Sequence, residues 1–121
     1  MNNYLSFSEF LVKKRKEKNF SAKDFAFLLN ISSVYMCDIE KGRKNAFSKD
    51  VLIKMEKILC DTDEEVYEFY DLFAASKGSV SLDLIDYIMG NKEIRKLLRI
   101  AKKKNVQNDV WITFINYLED K

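Results

Sequence analysis

Not one proline occurs in this chain of 121 residues, and only three glycines do. Those two residue types break helices and build tight turns more than any others. A chain nearly free of both is poorly equipped for the closely spaced turns of a β-sandwich or barrel, while long stretches of it are free to be helical. The expected fold class is all-α. Hydrophobic residues make up 47% of the chain, enough for a core, and the 33% that are charged can solvate its outside. The length suits one compact domain, or a small domain with a helical extension.

Cap signals then divide the chain. Ser6-Phe7-Ser8-Glu9 reads as a capping box opening a helix to about Lys18, with Phe7, Phe10 and Leu11 on one face. Ser21 caps a short second helix whose stripe is Phe25, Ala26, Leu28 and Leu29, ended by Asn30, which tolerates the left-handed conformation. Ser32 caps a third, with Met36 and Ile39 inward and Gly42 at its end. Ser48 caps a fourth, with Val51, Leu52, Met55, Ile58 and Leu59 on one side. Thr62 and Glu65 read as a further capping box, opening a fifth helix with Val66, Phe69, Tyr70 and Phe73 inward and a stop near Gly78. Three more helical pieces follow: about 82–89, about 92–104 after the cap Asn91, and about 109–119 after the cap Asn108. The candidate boundary is Gly78-Ser-Val-Ser81, giving a domain over 1–77 and an extension over 78–121.

Histidine is absent, which removes the commonest general base and the commonest zinc ligand. Cys37 and Cys60 are the two cysteines, with no CxxC between them, and read as reduced thiols. No catalytic constellation, metal site or cofactor is expected. No stretch approaches the roughly 18 apolar residues of a membrane span, and MNNYLSFSEF lacks the regions of a signal peptide, so a cytoplasmic protein with no membrane partner is expected. The net charge of +2 is unevenly spread. Residues 1–47 hold nine Lys/Arg against five Asp/Glu, residues 48–79 four against eight, and residues 80–121 eight against six. The basic excess of the first third favours a polyanionic partner there. Its densest run, Lys13-Lys14-Arg15-Lys16-Glu17-Lys18, reads first as a solvated helix face.

Residues 22–41 combine a short helix, a turn and a second short helix with a polar outer face. A DNA reader needs that arrangement, because one helix braces on the backbone while the next enters the major groove. Over Ser21-Ala-Lys-Asp-Phe-Ala-Phe-Leu-Leu-Asn-Ile-Ser-Ser-Val-Tyr-Met-Cys-Asp-Ile-Glu-Lys-Gly-Arg-Lys-Asn45 the chain resembles the Cro/repressor (xenobiotic-response-element) type of helix-turn-helix regulator. The resemblance covers about residues 6–60 and is most specific at Ile39-Glu40-Lys41-Gly42-Arg43-Lys44. It implies a five-helix, lambda-repressor-like DNA-binding domain, and a structural ion pair between Arg15 and Glu40. It also implies a recognition helix over about 33–41 that exposes Ser33, Val34, Cys37, Asp38 and Lys41. Ser33 can hydrogen-bond any base, Val34 suits a thymine methyl, and Asp38 can accept from a cytosine amino group or pair with Lys41 or Arg43. Lys41, Arg43 and Lys44 fall to phosphates, as do Ser32 and Tyr35. Where many relatives carry Gln and Gly this chain has Ala22 and Asn30, and Lys23 stands ready to take over the phosphate contact of that Gln.

The last third holds Leu84, Ile88, Leu97, Leu98, Trp111, Phe114, Ile115 and Leu118, apolar side chains that need covering. Burying each is favourable by about 1.5–3 kcal/mol before entropy, enough for an intramolecular cap or a dimer interface. This tail is similar to those of short regulators of the same type from Gram-positive bacteria and their mobile elements. The function expected is a sequence-specific transcriptional regulator, a repressor binding double-stranded DNA as a homodimer on a two-fold operator. The alternative is a protein acting mainly through a protein partner, as an antitoxin on a toxin or a phage-type inhibitor of a defence nuclease.

Overall fold

In the computed structural model, which describes residues 6–43 and 48–121, the chain is all-helical. Its elements are α1 (Phe7–Glu17), α2 (Ala22–Leu29), α3 (Ser33–Glu40), α4 (Lys49–Leu59), α5 (Asp63–Lys77), α6 (Leu82–Met89), α7 (Lys92–Lys103) and α8 (Asn108–Glu119). Among the described residues no helix is long and apolar enough to cross a membrane.

The helices start where hydroxyl and amide side chains can satisfy orphan N–H groups. Ser6, Ser21, Ser32, Ser48 and Thr62 each accept from the backbone N–H three residues on, and Asn91 accepts from Glu93 and Ile94. At α1 the box is reciprocal, with the Glu9 carboxylate taking the Ser6 N–H at 2.8 Å. At α5 the expected reciprocity is missing: Glu65 reaches past Thr62 to the Asp61 N–H at 2.7 Å, because Lys14 holds the same carboxylate from the α1 side. The expected cap Asn108 is likewise corrected to Gln107, whose side chain makes no cap bond, while Asn108 is the first helical residue.

Five of the eight helices, α1, α2, α3, α5 and α7, end by one device. Asn19, Asn30, Gly42, Gly78 and Asn105 all take positive φ, and after each the next N–H bonds the carbonyl five residues back, as Ile31 does to Ala26 at 3.0 Å. This is the Schellman arrangement, which needs a left-handed residue. With glycine so scarce, asparagine fills three of the five places.

By compactness the chain divides into two units, Met1–Asp83 and Leu84–Lys121, so the division falls six residues after the boundary expected at Gly78. The reason is local: Ser81 is buried and donates to the Asp71 carboxylate, and Leu82 packs on the first unit's core. That core is built from Phe10, Leu11, Phe25, Leu29, Met36, Ile39, Leu52, Met55, Leu59 and Phe69, all removed from solvent. α1 packs against α3, α4 and α5, and α2 against α3 and α4. Phe7 sets its ring edge-on to Phe69 and Phe73 at 5.2 and 5.1 Å, joining α1 to α5. Leu28, expected in the α2 stripe, is 46% exposed. At 100° per residue Phe25, Leu29, Ala22 and Ala26 fill an arc of about 100°, and Leu28 lies about 60° outside it.

In the second unit Ala101 is the buried apolar residue. Arg95 donates to the Ile88 and Met89 carbonyls at the end of α6. α7 and α8 line an open apolar groove of about 590 Å³, with Leu97, Ile100 and Ala101 on one side and Val110, Phe114 and Tyr117 on the other.

Two long-range ion pairs tie the basic run of α1 to α5 and the segment before it: Lys14 to Glu65 at 2.5 Å and Lys18 to Asp61 at 2.6 Å. The Lys14 ammonium, then the Asp61 N–H, pull the Glu65 carboxyl down to about 2, and Glu65 in turn raises Lys14 above the usual lysine value. A carboxyl lowered in the folded state stabilises fully above its unfolded value near 4.5 and loses that contribution as pH falls toward 2. In acid unfolding followed by circular dichroism, Glu65→Gln is expected to lower stability at neutral pH and flatten the fall between these two pH values. A variant with the wild-type acid limb would contradict this assignment.

Candidate nucleic-acid interface

Two short helices at a fixed angle can present an outer face only if their inner faces are locked. α2 contributes Phe25, Ala26 and Leu29 to the core, and α3 contributes Met36 and Ile39, with Ile31 of the turn half-buried beside them. Ala26 has almost no exposed surface, and its small side chain lets α2 lie close to its neighbours. Asn30, at φ 59 and ψ 43, turns the chain between the helices.

α3 is also clamped from α1. The Arg15 guanidinium donates through Nε to Glu40 Oε2 at 2.6 Å and through Nη2 to Oε1 at 3.0 Å. Its Nη1 donates to the Phe20 carbonyl at 2.8 Å, and both charged side chains are only 11% exposed. A planar guanidinium meets a carboxylate this way at two points, which fixes direction as well as distance. The pair therefore sets the roll of α3 about its axis. Phe20, whose carbonyl completes the clamp, stacks on Phe25 of α2 at 6.2 Å.

With its inner side fixed, α3 turns Ser33, Val34 and Lys41 outward, Val34 being 72% exposed. Ser32 is exposed, and its hydroxyl accepts from the Tyr35 N–H at 3.0 Å, which leaves the hydroxyl proton for an outside acceptor. Tyr35 and Cys37 are half-buried, Tyr35 against the core. Asp38 is half-buried too and lies 3.6 Å from Arg43, so of the two partners foreseen it takes Arg43. Lys23 is exposed near the start of α2, and Lys44 lies outside the described residues.

The first turn of α3 differs from every other. α1, α2, α4, α5, α6, α7 and α8 each carry an acidic residue there; α3 carries none. An acidic side chain at that place offsets the partial positive charge of the aligned peptide dipoles. At α3 this charge is left uncompensated beside exposed hydroxyls.

Sequence reasoning did not foresee the pairing of Lys14 and Lys18, which takes two cations off the basic run; partners 51 and 43 residues away leave no local signal. Nor did it foresee Phe27, which stands 82% exposed on α2. Cys37 and Cys60 are both free; burial, then Glu56, pushes the Cys60 thiol up to about 11. Comparison with protein-family models, curated proteins and solved structures finds no match.

Breaking one half of a buried ion pair strands the other charge, a loss of about 3–5 kcal/mol, whereas replacing both halves by apolar residues is far milder. In urea unfolding, Arg15→Met is therefore expected to be strongly destabilising, and Arg15→Met with Glu40→Leu to recover most of the loss. Equal destabilisation by the single and double variants would contradict the clamp.

Proposed function

We propose that the chain is a sequence-specific DNA-binding regulator whose first unit is a five-helix, lambda-repressor-like domain with α3 as its recognition helix. The observation that carries the reading is the outer side of α3. Its first turn is exposed, rich in hydroxyls and free of acidic residues, and the Arg15–Glu40 pair holds it in one orientation. A helix entering the major groove reads bases with such N-terminal and outward side chains. In this reading Ser33 and Val34 face base edges, Ser32, Lys23 and Lys41 meet phosphates, and Asp38 orients Arg43 rather than reading a base.

The same reading makes the protein a repressor acting as a homodimer, since one eight-residue helix reads few base pairs. The second unit supports this. The apolar side chains of α8, Val110, Trp111, Ile112, Phe114, Ile115, Tyr117 and Leu118, cover an arc of about 220° at 100° per residue, wider than one neighbouring helix can bury. Leu84, Leu97, Leu98, Phe114, Ile115 and Leu118 are all more than 40% exposed, while Ile88 and Trp111 are partly covered.

A second reading, docking to a protein such as a toxin or a defence nuclease, has one observation in its favour. Phe27 and Val34 are large apolar side chains standing out from α2 and α3, as anchors of a protein interface do.

Selection from a randomised duplex library with the purified protein separates the two. The DNA reading predicts enrichment of a two-fold motif whose half-sites lie about one helical turn, roughly 10 base pairs, apart. Ser33→Ala is expected to relax the preference for that motif, and Lys41→Ala to weaken binding to all duplexes while reducing the salt slope by about 0.9. Absence of any enriched motif would overturn the reading and favour the protein partner.

A further inference from the structure

The first unit carries no net positive charge, an unfavourable balance for a polyanion binder. Residues 1–83 hold 13 Lys/Arg against 14 Asp/Glu, a net −1, whereas residues 84–121 hold eight against five, a net +3. The first unit also holds four of its cations in internal ion pairs. Lys14, Arg15, Lys18 and Arg43 are paired with carboxylates, while Lys13, Lys16, Lys23, Lys41, Lys49, Lys54 and Lys57 are exposed with no carboxylate partner among the described residues, scattered over α1–α4 rather than aligned.

α7 is the opposite case. Lys92, Lys96, Arg99 and Lys103 follow one another at intervals of four, three and four residues, which places them within an arc of about 60° and along about 16 Å of helix. All four are exposed, and none has a carboxylate or hydrogen-bond partner among the described residues. Like charges at such spacings repel and cost the helix stability. The helix dipole accounts for Lys103 in the last turn but not for Lys92, which stands at the positive end. The apolar side of the same helix, Leu97, Ile100 and Ala101, faces the groove shared with α8, so the stripe lies on the other side.

We propose that α7 is a second DNA-contacting element: the stripe Lys92, Lys96, Arg99 and Lys103 docks along the phosphate backbone of duplex DNA. It adds sequence-independent affinity to what Lys23 and Lys41 of the first unit contribute. About 16 Å of duplex axis carries roughly ten phosphates, so four cations in a row have matching charge along their whole length. Backbone contacts of this kind fix position and strength without reading sequence, the complement of what α3 does. The inference rests on the DNA-binding reading above, and it divides the work: α3 discriminates, α7 holds.

The test is fluorescence anisotropy of the full chain on a random-sequence duplex and on a selected-site duplex, between about 50 and 200 mM salt. The triple variant Lys96→Gln, Arg99→Gln, Lys103→Gln is expected to lower the salt slope on both duplexes by about 2.7 and low-salt affinity by roughly tenfold or more, with the ratio between duplexes unchanged. Its melting temperature is expected to equal or exceed that of the wild type, since repulsion is relieved; a marked drop would contradict the unpaired stripe. Wild-type affinity and slope in the triple variant would overturn the role of α7 and leave α3 as the reader. No binding of the wild type to either duplex would overturn both readings. Binding to phosphatidylserine vesicles in place of duplex would overturn this one in favour of a lipid surface.

Discussion

A guanidinium withdrawn from water is tolerable only beside a carboxylate in good geometry, and the first unit is arranged around one such contact. Arg15 reaches from α1 to Glu40 at the end of α3 and to the Phe20 carbonyl that precedes α2. Three segments meet at one planar group. Apolar packing alone holds α3 against the core through Met36 and Ile39, but two side chains three residues apart leave freedom to roll. The bidentate pair removes that freedom, because its strength depends on direction.

Much else follows from where α3 then stands. Ser33, Val34 and Lys41 are outward because Met36, Ile39 and Glu40 are inward. The Asp38–Arg43 contact lowers the negative charge presented on that side and draws Arg43 back toward the helix. The first unit achieves this with no net positive charge, its acidic α5 region pairing with Lys14 and Lys18 of the basic run while Lys13 and Lys16 stay exposed. In the proposed reading recognition and affinity divide: one unit carries an oriented, hydroxyl-rich helix, and the other carries four unpaired cations in one stripe.

The parts of this arrangement that were legible in the sequence are those governed by local chemistry. Ser6, Ser21, Ser32, Ser48 and Thr62 marked helix starts because a hydroxyl there has an orphan N–H to satisfy, and Asn30 and Gly78 marked ends because few residues accept positive φ. The all-helical class followed from the same reasoning together with the missing prolines. What escaped was decided across distance. Glu65 has two competing donors, Thr62 beside it and Lys14 on another helix, and no local pattern says which wins. Leu28 is a different case: apolar by type, it lies about 60° outside the arc that α2 buries, which its helical spacing alone already gives. In the site, the placement of Ser33, Val34 and Lys41 could be read from helical periodicity, whereas the partial burial of Tyr35, Cys37 and Asp38 depends on how deeply α3 is set.

The central claim is that the outer side of α3 is what meets duplex DNA. Amide chemical-shift mapping of the full chain, titrated with a duplex carrying a selected site, tests it residue by residue. The account predicts the largest changes over Ser32–Lys41, strongest at Ser33 and Val34, with the amides of Met36 and Ile39 moving less. Saturable changes that spare α3 and centre on Phe27 and Leu28, or no changes at all, would contradict it.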